Sequence, residues 1–257
     1  MSERLADAIG GGGVRVTAVT DKGLVRQRNE DGYIITRIET LDNALLCAVA
    51  DGMGGYARGD MASNVALASL VTSVGKALLN RSFKQIILDA MIKANLEVYE
   101  SGISKFGNPC MGTTLTAAIL HGDSLCVGHV GDSRAYVFHA ATGELEQVTE
   151  DHSLVGVLMR RGDLTESEAM HHPDKHILTR AIGTDPEVAI DVIERTLSSG
   201  DVVLLCTDGL TGLISNDEIR SALAEKEFEK IAPHLVTLAK DRGGFDNITI
   251  VAVRTGD

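Results

Sequence analysis

Tryptophan is absent, and proline and cysteine occur only four times each in 257 residues. So few prolines leave no proline-rich hinge to divide the chain, and there is neither an internal repeat nor a low-complexity linker. The cysteines, Cys47, Cys110, Cys126 and Cys206, form no CxxC pair. Three of them sit in apolar runs (LLCAVA, LCVGHV, LLCTDG), which reads as buried, reduced core cysteines rather than disulfides or a metal site. No stretch reaches the roughly 18 consecutive apolar residues of a membrane span. The first residues, MSERLADAIGGGG, contain acids and no long apolar stretch, and so do not read as a secretion signal. Basic residues are also in short supply. Lys and Arg total 24 against 36 Asp and Glu, a formal net charge of −12, which argues against nucleic acid or an anionic membrane as a partner. The charge leaves a phosphate-bearing substrate open, because a bound cation reverses the local sign. A cytoplasmic location is expected.

What the chain does have is a 44% share of hydrophobic residues, enough for one large folded domain and too much for wholesale disorder. We expect a flexible lead-in over residues 1–13, with its glycine run Gly10–Gly13, and a single domain over 14–257. Alternation of β-branched residues predicts strands over Val14–Thr20 and Gly32–Ile38. The doubly apolar run Ala44–Ala50 predicts a central strand. Helical stripes follow. One starts near Asp60 and runs through Leu67, Leu70, Val71, Val74 and Leu78. The second starts near Ser82, a plausible N-cap, and runs through Phe83, Ile86, Ile87, Ala90, Ala94 and Val98. Strands return at Thr113–Leu120, Ser124–Val130 and Ser133–His139. A polar insert over about 151–183, with His152, His171, His172 and His176, holds short helical pieces at best. Strands at Val188–Glu194 and Val202–Thr207, helices at Asn216–Ala224 and Glu227–Lys240, and a last strand at Asn247–Arg254 complete the pattern. Strands and helices come in blocks rather than in alternation. The expected class is therefore α+β, with packed, mainly antiparallel sheets and helix pairs outside.

Aspartates recur at the ends of these apolar strands. Asp51 follows ALLCAVA and precedes Gly-Met-Gly-Gly; Asp208 follows VVLLCT; Asp132 lies in Val-Gly-Asp-Ser-Arg; Asp246 opens the last strand; Asp31 closes Arg-Gln-Arg-Asn-Glu-Asp. One Asp-Gly alone is an ordinary turn. Five carboxylates gathered at one sheet edge would repel unless protonated or neutralised by a cation. Oxygen donors without Cys/His spacing suit hard ions, Mg²⁺ or Mn²⁺, rather than Zn²⁺. Gly52, Gly54 and Gly55 would let the backbone come close to a ligand, and a glycine carbonyl can itself ligate. Arg26, near Asp31, either pairs with a carboxylate or offers its fork to a phosphate; spacing alone leaves both open.

Taken together these residues resemble the metal-dependent Ser/Thr protein phosphatases of type 2C, in their bacterial branch. The matching segments, in the family's order, are Thr20-Asp21-x-Gly23-x-x-Arg26-x-x-Asn29-Glu30-Asp31, Asp51-Gly52-Met53-Gly54-Gly55, Met111-Gly112-Thr113-Thr114, Val130-Gly131-Asp132-Ser133-Arg134, Cys206-Thr207-Asp208-Gly209-Leu210 and Asp246-Asn247-Ile248-Thr249. They span about residues 14–254. The resemblance implies an αββα sandwich with a site for two divalent cations, Mn²⁺ or Mg²⁺, and a possible third. It assigns Asp51 to bridge the two ions, the Gly52 carbonyl to the second, and Asp208 and Asp246 to the first. Glu30 and Asp31 act mainly through water, Asp132 with Asp208 holds the third ion, and Arg26 binds the substrate phosphate. The insert matches a flap associated with substrate choice. The implied reaction is hydrolysis of phosphoserine and phosphothreonine by a metal-bridging hydroxide, opposing a bacterial Ser/Thr kinase, in a monomer. Met53 stands where many eukaryotic members carry a histidine that is a candidate general acid; His171 and His172 are weaker candidates for that role. The Cys-x5-Arg signature of cysteine phosphatases is absent. The alternatives are a phosphoprotein-binding pseudophosphatase of the same fold and a metal-dependent phosphodiesterase.

Overall fold

The structure, a computed structural model of the chain, describes residues 3–4, 13–54, 58–77 and 80–256. Gly55 of the glycine motif, Leu78 of the first helical stripe and most of the expected lead-in lie outside them.

Two antiparallel sheets form around central strands, β4, β6, β7, β11 and β12, that are buried on both faces. The first sheet has the order β1-β2-β12-β11-β8-β9, with β1 Glu3–Arg4, β2 Arg15–Asp21, β8 Arg134–His139, β9 Glu144–Gln147, β11 Val202–Cys206 and β12 Ile248–Arg254. The second has the order β10-β7-β6-β4-β3, with β3 Asp31–Ile38, β4 Ala44–Met53, β6 Leu115–His121, β7 Ser124–Val130 and β10 Asp191–Thr196. The short β5, Gly112–Thr113, pairs with the far end of β4.

Three hydrophobic layers hold the sandwich together. Between the sheets lie Leu45, Cys47, Val49, Val127, Val203, Leu205 and Val251. The alternate residues of β4, Leu46, Ala48 and Ala50, face helices α1 (Arg58–Val74) and α2 (Phe83–Phe106) on the outside of the second sheet. The alternate residues of β11 and β12, Leu204, Cys206, Ile250 and Ala252, face α6 (Asn216–Glu225) and α7 (Phe228–Asp241) outside the first. A strand apolar on both faces has to be sandwiched in this way, since either face left in water would forfeit roughly 25 cal/mol per Å². The expected αββα sandwich is the observed fold.

Ser82 caps α2, its hydroxyl accepting from the Gln85 backbone N–H at 3.3 Å, and Gly107 ends it at φ 78°. Elsewhere the boundaries differ from the sequence expectation for identifiable reasons. The strand expected over Val188–Glu194 begins three residues later. Asp185 and Pro186 are held back by the buried Asn95 amide (3.0 and 3.1 Å), and Val188 and Ile190 pack against the α1–α2 layer before the strand starts. The strand expected over Thr113–Leu120 breaks at Thr114, whose backbone N–H donates to the Asp51 carbonyl (2.9 Å) while its hydroxyl accepts from the Asp51 N–H (2.9 Å). The insert carries two short helices, α3 Leu154–Arg161 and α4 Glu166–Met170. Among the described residues no helix is long and apolar enough to cross a membrane.

Candidate metal centre

The sandwich delivers the candidate residues from five separate places to one edge. Arg26 and Glu30 lie on the β2–β3 connection, and Asp31 is the first residue of β3. Asp51 and Gly52 lie within the last turn of pleat of β4, not after it as the sequence suggested, and Asp51 sits directly opposite Asp31 in the antiparallel ladder. Asp132 occupies the β7–β8 turn. Asp208 opens a single helical turn, α5 Asp208–Thr211, and Asp246 immediately precedes Asn247 and β12.

Neighbouring polar groups fix this arrangement. One oxygen of Asp31 accepts from the hydroxyls of Thr207 (2.8 Å) and Thr249 (2.7 Å), tying β3 of one sheet to β11 and β12 of the other. The buried Asn247 side chain donates to the carbonyls of Lys22 and Arg28 (2.9 Å each) and accepts from the Glu30 N–H (2.8 Å), which sets the loop that carries Arg26 and Glu30. Thr114, itself hydrogen-bonded to the buried Ser133 hydroxyl at 2.8 Å, joins the Asp51 strand to the Asp132 turn. Gly52 and Gly59 touch backbone to backbone, and a Cβ on either would strike the other's carbonyl. Gly209 is equally constrained by the Asn247 carbonyl, so α5 can sit this close to β12 only with glycine there. In the sequence Thr114, Ser133, Thr207, Asn247 and Thr249 appear only as members of the motif segments. Their positions beside the aspartates were the available signal that they orient them.

The electrostatics are those of crowded anions. Burial, then the charges of Asp31, Asp208, Asp132 and Asp246, hold the Asp51 carboxyl well above the ordinary range. Asp31 is pushed up to about 7 by burial, against the pull of its two threonine hydroxyls. Asp132 is raised by burial and by Asp208 and Asp151, and Asp208 by burial and by Asp246. Glu30 is raised by burial and by Asp60 in the first turn of α1. The nearest arginine, Arg26, donates to Asp246 Oδ2 at 2.7 Å.

Among the described residues no three Asp, Glu, His or Cys side chains form a group placed to hold a metal ion, although the charges of Asp31, Asp132, Asp208 and Asp246 all bear on Asp51. Whether a cation fits is decided by the donors. Asp31 Oδ1 and Asp208 Oδ1 are buried with no hydrogen-bond partner, which is uncommon for charged oxygens and costly without a counter-charge. Mutually repelling carboxylates with orphaned oxygens, and no thiolate or imidazole among them, are what a hard divalent cation requires. Asp31 and Asp208 carry such oxygens, and the charges of Asp51, Asp132 and Asp246 bear on the same group.

Beside this edge runs a cleft of about 110 Å³, walled by the insert (Met159, Met170, Lys175, His176) and by Leu213 and Phe245. Among the insert's histidines, His176 reaches the cleft and influences Asp208. His172 Nδ1 instead accepts from the Asp174 N–H at 3.1 Å, and neither His171 nor His172 lines the cleft.

Comparison with known proteins agrees with this geometry. The family profile described as protein phosphatase 2C matches residues 25–242. The chain belongs to the protein phosphatase 2C family. The serine/threonine phosphatase stp of Listeria monocytogenes serotype 4b is 38% identical over 239 residues, covering 91% of this chain and 93% of that protein. The crystal structure of the Mycobacterium tuberculosis serine/threonine phosphatase PstP/Ppp superposes with a TM-score of 0.85 at 34% identity, over 95% of this chain and 100% of that one. A structure of the PstP catalytic domain in complex with two manganese ions superposes at 0.83, again with 34% identity, over 95% of this chain and 99% of that one.

Arg26 donates to Asp246, and its side chain is 54% exposed. Arg26→Ala is expected to raise KM for phosphopeptides about tenfold or more, the loss of one charge-assisted contact, while the Mn²⁺ concentration giving half-maximal rate stays within about twofold. Steady-state kinetics at varied peptide and varied Mn²⁺ read both; an unchanged KM returns Arg26 to a structural role.

Proposed function

We propose that residues 14–257 act as one catalytic domain that hydrolyses phosphoserine and phosphothreonine in proteins, with two divalent cations held by Asp51, Gly52, Asp208 and Asp246, and a third between Asp132 and Asp208. Family membership and the named relatives make the chain a protein-serine/threonine phosphatase. The observation that carries the metal reading is the pair of buried, unpartnered carboxylate oxygens on Asp31 and Asp208, among aspartates whose carboxyls raise one another.

Bound there, Mn²⁺ or Mg²⁺ supplies positive charge and a hydroxide at neutral pH for in-line attack on phosphorus. The chain's own residues do the rest. Asp31 is held rigid by two hydroxyl donors, so its free oxygen keeps one direction. Glu30 is fixed at its backbone by Asn247, and its carboxyl lies beside Gly59 and Asp60 at the start of α1. Arg26, which donates to Asp246 Oδ2 and is half exposed, would offer its fork to the phosphate oxygens. Cys47, Cys126 and Cys206 are buried, and burial pushes their thiols up to about 12, so none of these three offers a thiolate near neutral pH. A Ser/Thr kinase or its targets, in the cytoplasm, are the natural substrates on this reading.

The test is release of phosphate from p-nitrophenyl phosphate and from phosphothreonine peptides with Mn²⁺, and its loss with EDTA. Folded protein that binds phosphopeptide without turnover would make it a pseudophosphatase. A preference for bis-aryl phosphodiesters would make it a phosphodiesterase.

A further inference from the structure

The insert and the Asp132 turn meet at one buried imidazole to which the catalytic reading gives no task. The His152 side chain is 2% exposed and uses both ring nitrogens. Nδ1 accepts from the Gly131 backbone N–H at 3.2 Å, and the His152 N–H donates back to the Gly131 carbonyl at 2.7 Å. A backbone N–H can only donate, so Nδ1 carries the lone pair and Nε2 the proton. That proton goes to Asp191 Oδ2 at 3.0 Å, while Arg180 Nη1 donates to the other oxygen, Oδ1, at 2.7 Å. Burial holds the imidazole below its ordinary range, in keeping with the neutral form that both contacts need. The ring lies against His129, centroids 4.7 Å apart, and His129 Nε2 donates to the Glu150 carbonyl at 3.1 Å.

A buried histidine is ordinarily just a packed and satisfied one. What sets this one apart is what its two nitrogens join. Gly131 directly precedes Asp132. It stands at φ 116°, and a Cβ on it would strike the Thr114 side chain. Thr114 ties this turn to the Asp51 strand, and His152 ties it to the insert. The two ends of the insert are closed on each other at the same place. The Leu154 N–H donates to the Ile177 carbonyl and the Thr179 N–H to the His152 carbonyl, 2.8 Å each. Arg180 follows, and its partner Asp191 opens β10, level with His129 on β7. One chain of hydrogen bonds thus runs from the Gly131 amide through the imidazole and the Asp191 carboxylate to the Arg180 guanidinium. We propose that His152 is a positioning residue: Nδ1 fixes the turn that presents Asp132, and Nε2 fixes the root of the insert that walls the cleft. It acts through these two segments rather than on the substrate. Its effect on turnover rests on the metal reading above, whereas its hold on the two segments does not.

Asparagine and glutamine separate the two nitrogens. His152→Asn keeps an acceptor near the place of Nδ1 and loses the reach to Asp191. His152→Gln keeps a donor near the place of Nε2 and loses the acceptor for Gly131. In the metal-free protein, hydrogen exchange of the Gly131 amide is expected to quicken about tenfold or more in His152→Gln and to stay within about threefold in His152→Asn. The Thr179 amide is expected to respond the other way round, and Asp191→Asn should reproduce His152→Asn there. In kinetics, His152→Gln should raise the Mn²⁺ concentration for half-maximal rate about tenfold, on p-nitrophenyl phosphate and phosphopeptide alike. His152→Asn and Asp191→Asn should raise KM about fivefold for phosphopeptide, well beyond any change for p-nitrophenyl phosphate. Circular dichroism checks each fold. Should a His152 variant not fold, the nitrogen NMR shifts of the wild-type ring decide the Gly131 arm and Asp191→Asn the insert arm. A ring protonated on Nδ1 overturns the proposal. So do two His152 variants with one and the same exchange profile, an unmoved Thr179 amide in Asp191→Asn, or unchanged kinetics where exchange has shifted. A wild type without Mn²⁺-dependent turnover would remove the metal reading instead and leave the exchange results to decide the positioning role.

Discussion

Asp208→Asn is expected to lower kcat on the order of a thousandfold at saturating Mn²⁺ while making the metal-free protein more stable. Both effects have one source. Asp208 is a buried carboxylate with one oxygen unpartnered, held by burial and by Asp246 in a state where its charge is unfavourable. The amide is nearly the same size and carries no charge, so Thr207, Gly209 and the α5 turn keep their places. Removing one anion from the group formed with Asp51, Asp132 and Asp246 relieves repulsion that only a cation would otherwise offset. A gain of about 1 kcal/mol would appear as roughly 2–4 °C in the melting temperature of a chain this long. The same exchange takes away a charged oxygen from the place where positive charge must be fixed, and the loss of one group aimed at developing charge costs about 10²–10³ in rate. Kinetics on p-nitrophenyl phosphate and thermal unfolding in EDTA check the two halves separately. A near-normal rate in Mn²⁺ removes Asp208 from the metal set. A lower melting temperature in EDTA means that the carboxylates are not in conflict.

The sandwich was legible because its strands carry their burial in their composition. Ala44–Ala50 and Val202–Cys206 are apolar on both faces, and that pattern has no stable place except between two layers. The two helical stripes were legible for the same reason. The four-residue β9, Glu-Leu-Glu-Gln, was not, because it is short, polar at alternate positions and paired with β8 at the edge of its sheet. Nor was α5, since Asp208-Gly-Leu-Thr looks like the end of the preceding strand, and becomes a helical turn only because Gly209 lets it press on Asn247. At the centre, sequence alone put aspartates at strand ends and the family resemblance supplied their roles. It could not show that Arg26 rests on Asp246, or that Thr207 and Thr249 bind Asp31, because those contacts join residues more than 170 positions apart.

Asp151→Ala is expected to cost about 3–5 kcal/mol, a large part of the total stability of an ordinary domain. Asp151 receives Arg134 in a bidentate pair, Nε to both carboxylate oxygens (2.9 and 3.1 Å) and Nη2 to Oδ2 (2.8 Å), with both side chains about nine-tenths covered. A further arginine N–H, on Nη1, goes to the Tyr136 hydroxyl (3.0 Å), which donates in turn to Asn216 (2.9 Å) at the start of α6. Deleting the carboxylate therefore strands a buried charge rather than merely losing a contact. The functional consequence follows from position. Arg134 stands two residues from Asp132, and Asp151 stands at the root of the insert, where the His152 N–H donates to the Gly131 carbonyl at 2.7 Å. The pair thus fixes the wall of the cleft against the turn that presents Asp132, and a freed Arg134 would have that carboxylate as its nearest replacement partner. The variant should then lose activity on phosphopeptides more than on p-nitrophenyl phosphate, which needs no cleft wall. The double exchange Arg134→Met/Asp151→Leu separates charge from packing. It removes both ions, keeps the volume, and should recover most of the stability. Urea unfolding of the three proteins and their peptide-to-p-nitrophenyl phosphate ratios decide the matter. A single variant as stable as the wild type would mean that the pair is solvent-relaxed. A double variant no better than the single would mean that the network to Tyr136 and Asn216, rather than the buried charge, holds the insert in place.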